Sequence, residues 1–140
     1  MQRVMLVGEC GSGKSAIIRA FSEGGYTPRR ALAVEYHEQF ITPPGEFLEN
    51  RRFYPALITT SADCELVVFV QDATRKSSLF PPKFAFAFNR PALGVISKSD
   101  APGADVRLAE RFLFNAGITE IIPISTESGL GLERLRNRLG

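Results

Sequence analysis

The run Val4-Met5-Leu6-Val7, followed at once by Gly8-Glu9-Cys10-Gly11-Ser12-Gly13-Lys14-Ser15-Ala16, constrains the fold more than any other stretch of the chain. A short, continuous apolar run rich in β-formers suits a strand buried on both faces of a parallel sheet. The residues after it meet every fixed position of the pattern GxxxxGK(S/T). Between a strand and a helix that pattern is a phosphate cradle, because glycines let successive N–H groups turn inward and the helix N-terminus adds positive potential. Lys14 is expected to reach the β- and γ-phosphates, and the Ser15 hydroxyl to be a ligand of Mg²⁺. Gly8, Glu9, Cys10, Gly11, Ser12, Gly13 and Ala16 complete the nucleotide-binding loop. Cys10 reads either as a redox-sensitive thiol beside the phosphates or, the simpler case, as a small side chain that fits.

The pattern that follows alternates helix and strand. Lys14 to Phe21 puts Ile17, Ala20 and Phe21 on one helical face, with Gly24-Gly25 as its stop. Weaker strands are expected at Ala33 to Tyr36 and Gln39 to Ile41, the latter ended by Pro43-Pro44-Gly45. Leu48 to Ser61 reads as helical with a kink or break at Pro55. Leu66 to Val70, Ala92 to Ser97 and Ile121 to Ile124 read as buried strands. Asp105 to Ala116 is expected as a helix with Val106, Ala109, Leu113 and Ala116 on one face and Gly117 as its C-terminal cap. A last helix carries Leu132, Leu135 and Leu139. This order predicts one domain, residues 1–140, with a doubly wound α/β sheet and helices on both faces.

Composition removes several function classes. A chain of 140 residues, 44% hydrophobic and 23% charged, has material for one substantial core. The net charge is +2 with scattered Lys and Arg, so no nucleic-acid track is expected. Two cysteines, Cys10 and Cys64, make neither a disulfide framework nor a metal cluster, and His37 is the only histidine. Val4 to Val7 is too short for a signal-peptide core or a bilayer span, so a cytoplasmic location and no membrane partner are expected. Phe80, Phe84, Phe86 and Phe88 are dense enough to suggest a docking surface, although packing of a short helix against the sheet is the favoured reading.

A base-recognition loop is expected at Ser97-Lys98-Ser99-Asp100, since an open α/β sheet places its ligand crevice at the carboxyl ends of its strands. SKSD resembles the NKxD signature of GTPases, with Ser97 in the Asn position. The Asp100 carboxylate can accept N1–H and N2–H₂ of guanine as a pair, and the Lys98 stem can lie along the base. Adenine has a lone pair at N1 and no amine at C2, so Asp100 would face it unpaired. Ser125 and Thr126, in Pro123-Ile124-Ser125-Thr126-Glu127, sit where GTPases carry the loop that backs the base.

Together these segments make the chain resemble the EutP/PduV family, small Ras-like P-loop proteins linked to ethanolamine and propanediol utilisation in bacterial microcompartments. The resemblance runs through GECGSGKS, TPPGEFLENRRFYPALITTSAD, NRPALGVISKSD and ITEIIPIS, and is closest to the PduV-like branch. It implies a three-layer Ras-like P-loop fold, GTP or GDP with Mg²⁺ as cofactors, and a microcompartment shell or encapsulated enzyme as partner.

Against that family the catalytic positions depart. The expected DxxG is represented by Thr42-Pro43-Pro44-Gly45, so Gly45 keeps its place while Thr42, a neutral hydroxyl, stands in the metal-side Asp position. Glu46 occupies the slot of the water-orienting Gln. The switch Thr falls at Ala31, with Thr27 the nearest substitute. Arg29, Arg30, Arg51 and Arg52 flank these segments and read mainly as a solvated face. The resemblance therefore implies catalytic roles for Lys14, Gly45 and Glu46, metal ligation by Ser15 and Thr42, and slow or partner-dependent GTP hydrolysis. Two other readings stay open: an ATP-dependent phosphotransferase for a small metabolite, and a non-hydrolysing interaction module.

Overall fold

A computed structural model describes residues 2–27 and 33–140. Among them six strands form one sheet in the order β2-β3-β1-β4-β5-β6. The strands are β1 Val4–Val7, β2 Glu35–His37, β3 Phe40–Thr42, β4 Leu66–Asp72, β5 Ala92–Ser97 and β6 Ile121–Pro123. All neighbours are parallel except β2, which runs antiparallel to β3 at the edge. The helices are α1 Lys14–Phe21, α2 Glu46–Glu49, α3 Tyr54–Thr60, α4 Val106–Asn115 and α5 Leu132–Leu139.

Each unbroken apolar run resolves into two faces, because successive strand side chains point to opposite sides. Met5, Val7, Val67, Phe69 and Ile96 face a core closed by Leu57 of α3 and by Ala109 and Leu113 of α4. Val4, Leu6, Val68, Val70 and Val95 face a second core closed by Ile17 and Ile18 of α1 and by Leu135 and Leu139 of α5. The expected doubly wound α/β architecture is what forms. Because β3 and β4 flank β1 on opposite sides, the carboxyl end of β1 is the point where the winding reverses, and residues 8–13 leave the sheet there.

The element boundaries have local causes. Helix α1 spans Lys14 to Phe21 as expected, ending where Ser22 turns extended and its hydroxyl donates to the Gly25 carbonyl at 2.9 Å. The helix expected from Leu48 to Ser61 breaks at Asn50 rather than at Pro55. Asn50 is extended and its side chain accepts Arg52 N–H at 3.1 Å, starting a tight turn over Arg51–Phe53, while Pro55 sits harmlessly in the first turn of α3. Helix α4 is capped by Asp105, which accepts Leu108 N–H at 3.1 Å, and Gly117 follows its last turn with φ 98°. Phe80, Phe84 and Phe88 pack into the core around Phe69, with ring centroids 4.7, 5.9 and 5.8 Å from it, whereas Phe86 is 72% exposed.

Gly131, which precedes α5, has φ 71°, and a Cβ there would stand 2.2 Å from the Pro123 carbonyl oxygen. Gly131→Ala should therefore lose about 1–3 kcal/mol of unfolding free energy from backbone strain alone. Urea denaturation reads this directly, and a loss below about 0.5 kcal/mol would contradict the close approach.

Candidate functional site: a phosphate cradle tied to a base-recognition loop

The cradle forms because its glycines permit backbone that other residues resist. Gly11 has φ 79° and Gly13 φ 110°, the latter as the residue just before α1. At Gly8 a Cβ would lie 2.6 Å from Ser12 Oγ and 2.9 Å from the Val70 carbonyl oxygen, so the loop can close only with glycine there. Lys14 is buried, and its ammonium folds back to donate to the carbonyls of Gly8 at 2.6 Å and Glu9 at 2.8 Å. Burial pushes its pKa down to about 8, against the opposing pull of Cys10, Glu49, Glu46 and Glu9. Ser15 and Ala16 lie half-buried in the first turn of α1.

The base-side loop is bound to this cradle by two side chains. The Ser97 hydroxyl donates to the Ser12 carbonyl, and Ser12 itself is buried with its own hydroxyl lacking a partner among the described residues. Lys98, at φ 56°, donates to the Gly11 carbonyl at 3.0 Å and to Asp72 Oδ2 at 2.8 Å. Ser97 therefore performs a latching function that needs only a hydroxyl donor. Asp100 accepts the Ser128 hydroxyl at 2.5 Å. Hydrogen bonds from Ser128 and then Ser125 hold its carboxyl below the usual range, so it is an ionised acceptor at neutral pH. Ser125 is buried and accepts Ser128 N–H at 3.3 Å. Thr126 meets Ala16, Arg19 and Ala20 around a cavity of about 200 Å³.

On the other side of the cradle, Thr42 ends β3, half-buried, and Gly45 lies directly against Cys10. Glu46 opens α2 and its Oε1 stands 3.5 Å from the Cys10 sulfur. Cys10 is exposed, yet partial burial and the carboxylates of Glu49 and Glu46 push its thiol up to about 11. That environment supports the reading of Cys10 as a small side chain that fits, since a reactive cysteine needs a lowered pKa. Arg51 and Arg52 are exposed, in keeping with a solvated face. Ala31, Arg29 and Arg30 lie outside the described residues.

Four residues that sequence reasoning missed complete the site. Asp72, 3% exposed, accepts Thr74 N–H at 2.8 Å and its hydroxyl at 2.6 Å as well as Lys98. Burial raises its pKa, but hydrogen bonds from Lys98 and Thr74 outweigh that and keep the carboxyl low. Arg75 donates to Glu9 Oε1 at 3.2 Å and to the Cys10 carbonyl at 2.9 Å. Glu49 accepts Cys10 N–H, and Ser128 supports Asp100. Asp72 carried a signal, its place at the carboxyl end of the strongest strand beside the switch point. Glu49, Arg75 and Ser128 carried none.

Comparison with known proteins agrees with this geometry. The family model PduV-EutP, described as ethanolamine utilisation - propanediol utilisation, matches residues 1–140. The chain belongs to the PduV-EutP family. "Propanediol utilization protein PduV" of Citrobacter freundii is 29% identical over 136 residues, which is 96% of this chain and 91% of that protein. "Probable acetate kinase EutP" of Escherichia coli (strain K12) is 35% identical over 123 residues, 86% of this chain and 77% of its own length. The solved structure of "a probable GTP-binding protein engB" superposes with a TM-score of 0.67 at 17% identity, covering 97% of this chain and 95% of that one. This PduV-EutP member thus shares the fold of that solved structure, and no helix among its described residues is long and apolar enough to cross a membrane.

The donor sets fit a nucleotide, given the glycines of the cradle and the ionised Asp100. They fit Mg²⁺ as a phosphate-held ion, since Ser15 and Thr42 offer neutral hydroxyls and magnesium takes one or two protein oxygens beside phosphate and water. Among the described residues no cluster of His, Cys, Asp or Glu could hold a metal alone.

The thiol environment is directly measurable. With its pKa near 11, Cys10 should carry about 100-fold less thiolate at pH 8 than a cysteine at 9.0. Higher intrinsic nucleophilicity returns part of that, leaving iodoacetamide alkylation about tenfold slow. The rate should keep rising with pH up to about 11; a plateau near 9 would contradict the carboxylate environment.

Proposed function

We propose that this protein binds a guanine nucleotide, GTP or GDP with Mg²⁺, and hydrolyses GTP slowly or with the help of a partner. The role that goes with it is in propanediol or ethanolamine utilisation, in the cytoplasm at a bacterial microcompartment, with a shell or encapsulated enzyme as partner. The observation that carries the nucleotide assignment is the Lys98 ammonium joining the Gly11 carbonyl to Asp72, beside an Asp100 carboxylate kept ionised by serine hydroxyls. Phosphate and base sites are thereby one unit, and the base side is an acceptor-only group that suits guanine N1–H and N2–H₂.

In this reading the amides of residues 8–15 and the Lys14 ammonium bind and orient the phosphates. Mg²⁺, when bound, would supply charge neutralisation, and the Ser15 and Thr42 hydroxyls would be the groups to hold it. Thr42 brings no charge of its own, so metal retention is weak. The proposal assigns the attacking water to Glu46, a carboxylate where a Gln is usual. A positioned Gln or arginine finger supplies about 10³–10⁵ in rate in this class, and a chain without either turns over slowly alone.

A second reading is favoured by the names of relatives, since EutP proteins at 35% identity are called probable acetate kinases. It would use the same cradle to pass a phosphoryl group between nucleotide and a small carboxylate. A third is a non-hydrolysing module, for which Thr42 speaks.

Calorimetric titration with GTP, GDP and ATP, with and without Mg²⁺, separates the three. Guanine nucleotides should bind tightest; tighter ATP binding would sink the base assignment, and no binding at all would favour the interaction module. Asp100→Asn should weaken GTP about 100-fold, since the amide keeps an acceptor for N1–H but sets its own N–H₂ against guanine N2–H₂, and shift preference to xanthine nucleotide. Acetyl phosphate formation from acetate at a rate above GTP hydrolysis would establish the kinase reading instead.

A further inference from the structure

The carboxylate of Glu49 accepts the Cys10 N–H at 3.1 Å, a bond between residues 39 apart in sequence that crosses the mouth of the phosphate cradle. The segment that delivers it is seated firmly. A Cβ on Gly45 would stand 2.5 Å from Cys10 N and 2.7 Å from its sulfur, so the turn into α2 lies in backbone contact with the loop. Glu46 lies against the same sulfur at 3.5 Å. The charges of Glu49 and Glu46 also act on the Lys14 ammonium, the cation that phosphates need.

Cradle amides are not equivalent. Those next to the helix and the loop backbone serve the α- and β-phosphates, and the lysine reaches on toward the γ-phosphate. Cys10 lies on the loop limb that comes before Gly11 and Gly13, against the turn into α2, and the Lys14 ammonium reaches that limb at the Gly8 and Glu9 carbonyls. An N–H has one hydrogen to give, and a carboxylate already holding it opposes a second anion by occupancy and by like charge. A diphosphate leaves this limb unchallenged, whereas a triphosphate adds its terminal oxygens and charge close to it.

We propose that Glu49 is a specificity-determining residue, an internal anion that holds the terminal-phosphate side of the cradle and makes the protein favour nucleoside diphosphate over triphosphate until α2 withdraws. The proposal rests on the nucleotide-binding reading above. Hydrogen bonding from Cys10 keeps the Glu49 carboxyl below its usual range, so the anion is present at neutral pH. Because Gly45 rides on Cys10, a partner that pulled on α2 would free the Cys10 amide and release Lys14 from the two carboxylates together.

The test is calorimetry of the full chain and of Glu49→Gln with GDP and with a non-hydrolysable GTP analogue, each with and without Mg²⁺. Glutamine keeps an acceptor oxygen and removes the charge at an exposed position. The variant should gain about tenfold in affinity for the GTP analogue and less than about twofold for GDP, a tenfold shift in their ratio. An unchanged ratio with GDP still bound would overturn the proposal alone. A loss of analogue affinity confined to Mg²⁺ would also overturn it, making Glu49 a metal-side ligand in place of the absent Asp. The analogue binding where GDP does not would overturn this proposal alone, whereas neither ligand binding either protein would overturn the nucleotide reading and this proposal with it.

Discussion

The Lys98 ammonium is the interaction on which the rest of the site depends. It spans the Gly11 carbonyl of the phosphate loop and the buried Asp72 carboxylate at the end of β4, while its own backbone begins the base-side loop. A carboxylate as buried as Asp72 needs such a partner, since an unpaired buried charge costs several kcal/mol. In the sheet, Asp72 and Ser97 are register partners at the ends of β4 and β5. The bond to Lys98 therefore carries the regularity of the sheet into two loops that have no ladder of their own. The left-handed backbone at Lys98 costs about 1–3 kcal/mol and persists because these contacts require it.

Around that anchor the charges are unevenly distributed. The cradle carries one buried cation, Lys14, and is bordered by Glu9, Glu46 and Glu49. Arg75 offsets Glu9 and clasps the Cys10 carbonyl. Where the proposal puts Mg²⁺, Ser15 and Thr42 offer only neutral hydroxyls. Such an arrangement suits holding phosphate through backbone amides and shape, and is poorly furnished to stabilise charge developing at a terminal phosphoryl group. In the proposed reading, holding a nucleotide and cutting it are thus separate properties.

How much was legible from sequence follows from how local each cause is. Strand β5 and helix α4 could be read to within a residue, because Ala92 to Ser97 is a short apolar run bounded by Pro91 and the polar Lys98-Ser99-Asp100, and α4 has its apolar stripe, with Asp105 before it and Gly117 after it. The cradle was legible because its glycines serve the loop's own backbone. The break at Asn50 was misplaced to Pro55, since a capping asparagine leaves a weaker mark than a proline that turned out to suit a helix start. Sequence places Ser97 in the Asn position, but its bond to the Ser12 carbonyl joins residues 85 apart and leaves no local mark. Glu49, Arg75 and Ser128 act across gaps of 39, 65 and 28 residues, and such contacts leave no periodic trace in a single chain.

The central claim is that base loop and phosphate cradle recognise one guanine nucleotide as a rigid pair. The most direct measurement is a structure of the protein with GDP bound. The account predicts the Asp100 carboxylate within hydrogen-bond distance of guanine N1 and N2, with Lys98 still joined to Gly11 and Asp72. A base lying away from Asp100, or a Lys98 detached from the cradle, would contradict it.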